Sequence, residues 1–258
     1  MILDEIREAY VKDLLTKGKR ADGRGMLDYR EIRIEKGIIA NAEGSALASI
    51  GDTKVLAGIK FDIVEPFKDK PEEGTIVVNS EFSPVAHPEF SAGPPNEYSI
   101  ELARVVDRGL RSAEVVDPKK LFIQEGKALG VFIDLYTLDN CGNLIDTAAL
   151  AAMAALKCAR VPKYDAEKQQ LLREDFVGPL ELARTVVTCS FEKIDGKTII
   201  DASGEEEIAS YGRVTIATCD GEMVCAAQKS GAAGFTADEI MGIIDVAIAK
   251  GNELRQKV

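Results

Sequence analysis

Histidine is almost missing from this chain. His87 stands alone among 258 residues. Five cysteines are present, Cys141, Cys158, Cys189, Cys219 and Cys225, and no two form a C-x-x-C pair. Together these absences exclude the ligand spacing of a zinc site. There is no G-x-x-x-x-G-K-[ST] loop and no G-x-G-x-x-G after a strand, so nucleotide-hydrolase and dinucleotide readings lack support. There is no G-x-S-x-G elbow either, and the A-H-P setting of His87, with Ser83 and Ser91 nearby, reads as structure rather than a hydrolase triad. No apolar run approaches the ~20 residues of a membrane span. The first residues, MILDEIREAYVKDLL, have no basic n-region and no cleavage site, so they read as an acidic amphipathic helix and not as a signal peptide. Basic charge is also in deficit, with a formal net charge of −11. That argues against non-specific wrapping of nucleic acid but permits a local basic channel, above all one completed by a partner chain. An odd number of thiols in mostly apolar, Ala-rich surroundings suggests buried free cysteines and a reducing cytoplasm.

What is present is an ordinary soluble composition, 46% hydrophobic and 29% charged. The length fits one large domain or two tightly packed halves. Residues 2–17 read as a helix. Strand patterns follow at Glu31–Lys36, Ser45–Ile50, Lys54–Val64 and Thr75–Phe82, and Gly51-Asp52-Thr53 signals a tight hairpin. A Pro- and Gly-rich loop, 83–95, leads to a helix over Glu97–Glu114. Leu129–Leu138 is a strand with both faces covered, and 144–159 is a helix apolar nearly all round, hence a central packing element. The polar stretch 162–179 looks like a surface linker between an N-terminal domain, 1–161, and a C-terminal domain, 180–258. The second part has strands at Thr185–Phe191, Lys197–Asp201, Gly212–Cys219 and Met223–Gln228, then a helix over Thr236–Lys257. Ser45–Gly58 and Arg213–Ala227 echo one another as hairpins, which suggests two related α+β halves.

Two groups of residues carry possible chemistry. On the 97–114 helix, Asn96 is a plausible N-cap, and Ile100, Ala103, Val106 or Asp107, and Leu110 form a buried stripe. Arg104, Arg108 and Arg111 share another face at spacings of four and three. Aligned arginines in an acidic chain suit phosphate. The alternative is a solvated face whose arginines pair with Glu97, Glu101, Asp107 and Glu114. The second group is Asp201 with Glu205, Glu206 and Glu207, which could hold magnesium or supply an acid, or could be an acidic turn.

Several segments resemble the RNase PH family of phosphate-dependent 3′→5′ exoribonucleases: RADGRG (Arg20–Gly25), EGSALASIGDTKVLAGIK (Glu43–Lys60), GTIVVNSEFSPVA (Gly74–Ala86), SIELARVVDRGLRSAEVVD (Ser99–Asp117), DLYTLDNCGNLIDTAALAAMAAL (Asp134–Leu156), IIDASGEEE (Ile199–Glu207) and QKSG (Gln228–Gly231). The resemblance covers nearly the whole chain and implies the RNase PH fold, of the ribosomal protein S5 domain 2-like type. Within the family the chain looks most like the non-catalytic ring subunit of the archaeal exosome. That likeness implies a trimer-of-heterodimers ring with a catalytic RNase PH-like paralogue, cap subunits with S1-type domains on one face, and single-stranded RNA threading the channel. No cofactor and no metal is implied for this subunit.

Departures from the active pattern carry the functional expectation. Active members hold inorganic phosphate with a Thr/Ser-Arg pair and helix amides. Here the matching segment is DNCGNLIDTAAL, and Ile145-Asp146 replaces the pair. A carboxylate facing phosphate would reverse an interaction of about 4 kcal/mol at ~4 Å and an effective dielectric of ~20. The family's acidic pair maps onto Asp201 and Glu207, the second longer by a methylene, so both are expected to be relics or structural. Arg104, Arg108 and Arg111 match positions that grip the RNA backbone. The expectation is an RNA-binding subunit that structures its neighbour's active site. A self-sufficient phosphorolytic exoribonuclease and a scaffold without RNA contact are the rivals.

Overall fold

Alternating burial along Ala46, Ala48 and Ile50, and again along Val55, Ala57, Ile59 and Phe61, gives the first sheet one fully apolar face. The computed structural model describes residues 2–258. In strand order the first sheet is β1 (Ile32–Lys36), β2 (Gly44–Ile50), β3 (Thr53–Val64), β6 (Lys127–Asp139) and β4 (Thr75–Phe82), with β5 (Phe122–Gln124) also on β6. β4 runs parallel to β6, and the other pairings are antiparallel. Ile50 pairs with Thr53, so Gly51 and Asp52 make the β2–β3 turn. Gly51 has φ of 57°, and a Cβ there would lie 2.7 Å from Arg30 Cδ. Glycine therefore serves both the turn and the packing of that arginine.

α3 (Leu144–Lys157) is buried at every position from Ile145 to Leu156, as an all-round apolar helix should be. It packs on β2 and β3 and, on its other side, on β9 (Val187–Ile194). β9 belongs to a second antiparallel sheet of order β10 (Lys197–Ile200), β9, β11 (Gly212–Cys219) and β12 (Met223–Gly231). α5 (Ala237–Arg255) covers this sheet and starts with a capping box, Thr236 with Glu239. α2 (Glu97–Ser112) packs on β4 and reaches β12. One hydrophobic cluster runs through both halves, from Ala46 to Val258. The two-half α+β expectation is met, with α3 as the shared wall. α1 (Ile2–Thr16) joins a smaller cluster through Val11 and Leu15, against Ile194, Ile199, Ala202 and Ala209.

The expected linker, 162–179, is instead an antiparallel hairpin of β7 (Arg160–Asp165) and β8 (Gln170–Pro179). Its apolar residues do not alternate cleanly: Val161 and Leu171 pack against the core while Val177 is exposed. Pro162 sits between two register shifts, where a strand tolerates the loss of an N–H. Polar ties hold the hairpin: Arg173 donates to Glu43 at 3.0 Å and to the Phe61 carbonyl at 2.6 Å, and Arg160 stacks over Phe176 at 4.1 Å. The cysteines are all free, and Cys189 and Cys219 are buried. Cys141, Cys158 and Cys225 are only half-buried, short of the full burial expected.

Candidate nucleic-acid interface and the third helix N-terminus

The turn 139–143 carries β6 into α3. Gly142 has φ of 92°, and a Cβ there would meet the Ala202 carbonyl at 2.5 Å and Gly204 N at 2.6 Å. The missing side chain lets this turn press against residues 201–208, which include the short helix α4 (Gly204–Ile208).

The acidic cluster does not act as one group there, because each buried carboxylate has its own cation. Asp201 is fully buried at φ of 50°. It accepts from Arg30 Nε at 2.9 Å, Arg30 Nη2 at 2.7 Å and Arg30 N at 2.8 Å. Arg24 Nη1 and Asn143 Nδ2 each donate to it at 2.8 Å. Burial would raise the Asp201 carboxyl, but the hydrogen bonds and charge of Arg30 outweigh it, and the pKa lies below the ordinary carboxylate value. Such a group is held ionised and cannot serve as an acid near neutrality. Glu206 takes Arg20 bidentately, Nε–Oε1 at 2.9 Å and Nη2–Oε2 at 2.5 Å. Arg20 also donates to the carbonyls of Ile200 and Asp201 at 2.9 and 2.8 Å. Glu207 Oε1 accepts from Asn143 N at 2.9 Å and from Arg213 Nη2 at 3.1 Å. Arg213 also pairs with Glu192, and these two glutamates raise its pKa against the effect of burial. Glu205 remains at the surface.

Asp146 corrects the sequence expectation. Its carboxylate turns into the protein, so the expected repulsion of a phosphate by Asp146 has no basis in its placement. It is fully buried, pointing into the seam between α3 and β9. Its Oδ1 accepts from Thr188 Oγ1 at 3.0 Å and Ser190 Oγ at 2.8 Å. Its Oδ2 accepts from Ser190 N at 3.0 Å, Tyr29 Oη at 2.8 Å and Asn143 Nδ2 at 3.1 Å. Burial raises its pKa, and these donors offset the shift only in part. Ile145, also buried, instead lines a cleft of about 1240 Å3 together with Leu144, Glu89, Glu101, Glu205 and Glu207. Arg7 and Arg213 line it too. Phosphate at the α3 N-terminus would meet apolar side chains and the carboxylate of Glu207 where an anion needs donors. His87 lies at the cleft edge, its Nδ1 accepting from Glu89 N at 3.3 Å and its ring 5.2 Å from Phe90. Among the described residues no hydrogen bond joins its ring to a nucleophile or a carboxylate.

α2 presents the opposite arrangement. Asn96 caps it, accepting from Ser99 N at 2.9 Å. The buried face is Ser99, Leu102, Ala103, Val105, Val106, Gly109 and Leu110. Ile100, expected in that stripe, is 48% exposed, because the packed face turns toward Ser99 and Leu102 at the first turn. Arg104, Arg108 and Arg111 are all exposed. Their bonding differs. Arg111 donates to Asp107 at 2.8 Å and to the Ile76 carbonyl on the β4 edge at 2.7 Å. Arg108 donates to Gln228 Oε1 at 2.9 Å. Arg104 has no hydrogen-bond or ion-pair partner among the described residues. Of the acids considered as pairing partners, only Asp107 pairs with one of these arginines.

Sequence reasoning did not single out Arg24, Arg30, Arg213 and Gln228 individually. Arg24 and Gln228 fall in the RADGRG and QKSG segments, a signal without a role. Arg30 had no local signal, since its partner Asp201 lies 171 positions away, and Arg213 sits on a strand whose spacing does not report its pairing with Glu192 and Glu207.

A family model described as the 3′ exoribonuclease family, domain 1, matches residues 28–162, and one for domain 2 of the same family matches residues 184–250. The chain is 43% identical over 260 aligned positions to the exosome complex component Rrp42 of Thermococcus kodakarensis, covering 100% of this chain and 96% of that protein. It is 42% identical over the same span to that of Thermococcus onnurineus, with the same coverage. Among solved structures it is similar to a chain of the Archaeoglobus fulgidus exosome with RNA bound to the active site. That chain has a TM-score of 0.91 and 40% identity, with 100% of this chain and 99% of that one covered.

Proposed function

The chain belongs to the 3′ exoribonuclease family, and we propose that within it the protein is the non-catalytic ring subunit of an archaeal exosome. It grips single-stranded RNA and structures the active site of a catalytic RNase PH-like paralogue, which performs phosphate-dependent 3′→5′ degradation. The paralogue and this chain alternate in a hexameric ring of three heterodimers, with S1-type cap subunits on one face, in the cytoplasm. The observation that carries this reading is that the charges around the α3 N-terminus are neutralised inside the chain. Asp201 is committed to Arg24 and Arg30, and Glu207 to Asn143 N–H and Arg213. Among the described residues Arg24, Arg30 and Arg213 are taken up by these carboxylates, while Arg104 and Arg108 stand exposed on a different face. Arginine suits the RNA backbone because its planar fork takes phosphate oxygens without reading sequence.

The test uses the purified protein with oligo(A) and inorganic phosphate. Alone, it releases no nucleoside diphosphate. Mixed with the catalytic paralogue, it raises the native mass to that of a ring, and phosphate-dependent degradation appears. Release of nucleoside diphosphates by the chain alone would overturn the reading.

A further inference from the structure

Gln228, in the QKSG segment at the end of β12, bonds to two residues of α2 at once. Its Nε2 donates to Glu101 Oε1 at 2.9 Å, and its Oε1 accepts from Arg108 Nη1 at 2.9 Å. A carboxylate needs a donor and a guanidinium needs an acceptor. A glutamine amide supplies both without charge, and the two partners fix which way the amide points. Glu101 and Arg108 are seven residues apart, on the same side of the helix.

Arg104 lies between them. Glu101 and Arg104 have the i, i+3 spacing at which acid and base ordinarily pair on a helix. Here Glu101 bonds to Gln228, and Arg104 has no partner among the described residues. Gln228 sits half-buried in the seam between α2 and the second sheet. Ala217, Ala226 and Ala227 line it, and the gap beside Arg108 and Gln228 is about 10 Å3, the size of one water. Gly109 brings the helix close enough that a Cβ there would lie 3.6 Å from Ala217 Cβ.

We propose that Gln228 is a positioning residue of the RNA-binding face. It aims the Arg108 guanidinium and, by occupying Glu101, keeps Arg104 available to a phosphate of single-stranded RNA. Arg108 uses one donor on Gln228 and presents the rest in a fixed fork, so less side-chain freedom is lost on binding. This inference rests on the RNA reading of the arginine face.

The experiment measures oligo(A) affinity across a salt series in phosphate-free buffer, with the full chain assembled with its catalytic paralogue. Gln228→Glu places a carboxylate against Arg108 and releases Glu101 toward Arg104. It should weaken binding about tenfold and reduce the salt slope by about 1.4, two single-strand phosphate contacts at ~0.7 each. Gln228→Leu, which adds no charge, should weaken it about threefold, by loss of aim alone. In an Arg104→Ala/Arg108→Ala background, Gln228→Glu should change affinity by less than about twofold, because the groups it acts through are gone. Native mass is recorded for every variant, and Gln228→Leu decides the matter if Gln228→Glu does not assemble. Wild-type affinity and slope in the Gln228 variants, with both reduced in the arginine variant, would overturn the role of Gln228 and leave the RNA reading standing. Silence of the arginine variant as well would overturn both.

Discussion

The N-terminus of α3 and the outer face of α2 are both rich in charge, and they differ in where that charge goes. Around α3, Arg20, Arg24, Arg30 and Arg213 turn inward onto Glu206, Asp201, Glu192 and Glu207. On α2, Arg104 and Arg108 turn outward, and one of them has no partner among the described residues. A buried charge is tolerated only when paired and hydrogen-bonded, so the first region has little left to offer a ligand. An exposed arginine costs little to leave unpaired and is free to bind phosphate. Burial thus separates charges that hold the fold from charges that can act.

The largest expected effect breaks the α3 side of the contrast. Asp201→Ala leaves Arg24 and Arg30 without their shared carboxylate, at 14% and 12% side-chain exposure. It should cost about 3–5 kcal/mol, a fall of roughly 10 °C in thermal midpoint. The rate of RNA degradation per assembled ring should stay near wild type. A large loss of rate with assembly intact would return a catalytic role to Asp201.

Asp146→Ala comes next. It strands Ser190 N–H, Thr188 and Tyr29 in the α3–β9 seam and should cost about 2–4 kcal/mol, read from denaturant midpoints. A cost below ~1 kcal/mol would mean that the seam relaxes around the loss.

Acid titration sharpens the same side. The Asp201 pKa is depressed below 3.8 in the folded state. Its stabilisation is therefore present above the unfolded value and is lost as pH falls through the folded one. Asp146 is raised above 3.8, so its contribution has the opposite sense, present below the unfolded value and lost as pH rises through the folded one. Denaturation midpoints between about pH 3 and 5 should fall less steeply with acid in Asp201→Asn than in the wild type. An unchanged acid limb would contradict the depressed carboxyl.

The smallest stability effect belongs to α2. Arg104→Ala should change unfolding free energy by less than about 0.5 kcal/mol, yet lower the salt slope of RNA binding by about 0.7. Arg111→Ala should do the reverse, costing about 0.5 kcal/mol from its ties to Asp107 and the Ile76 carbonyl, with a smaller change in slope. Equal slopes for the two variants would erase the distinction between a free and a tied arginine.

Legibility in the sequence followed the range of the forces. α3 was visible because twelve consecutive residues, Ile145–Leu156, are buried, and apolar character alone reports that. The β2–β3 hairpin was visible through Gly51 and its flanking alternation. The β7–β8 hairpin was not, since its apolar residues do not alternate cleanly and Arg173 ties it to Glu43 and the Phe61 carbonyl, 130 and 112 positions away. The arginine stripe was legible as a stripe, because spacings of three and four fix a helix face. Which arginine is free was not, because the Ile76 carbonyl and Gln228 come from other parts of the chain.

The sequence by itself determined the two-half α+β architecture and the helix that carries Arg104, Arg108 and Arg111. Local periodicity and residue identity are sufficient for those. Tertiary structure decided what the acidic side chains do. Asp146 became an interior strut between α3 and β9, Asp201 the anchor of two arginines, and Glu207 the carboxylate at the α3 N-terminus. The reason is physical: a charge takes its role from the partners and the dielectric around it, and folding sets both by bringing together residues such as Arg24 and Asp201, 177 positions apart.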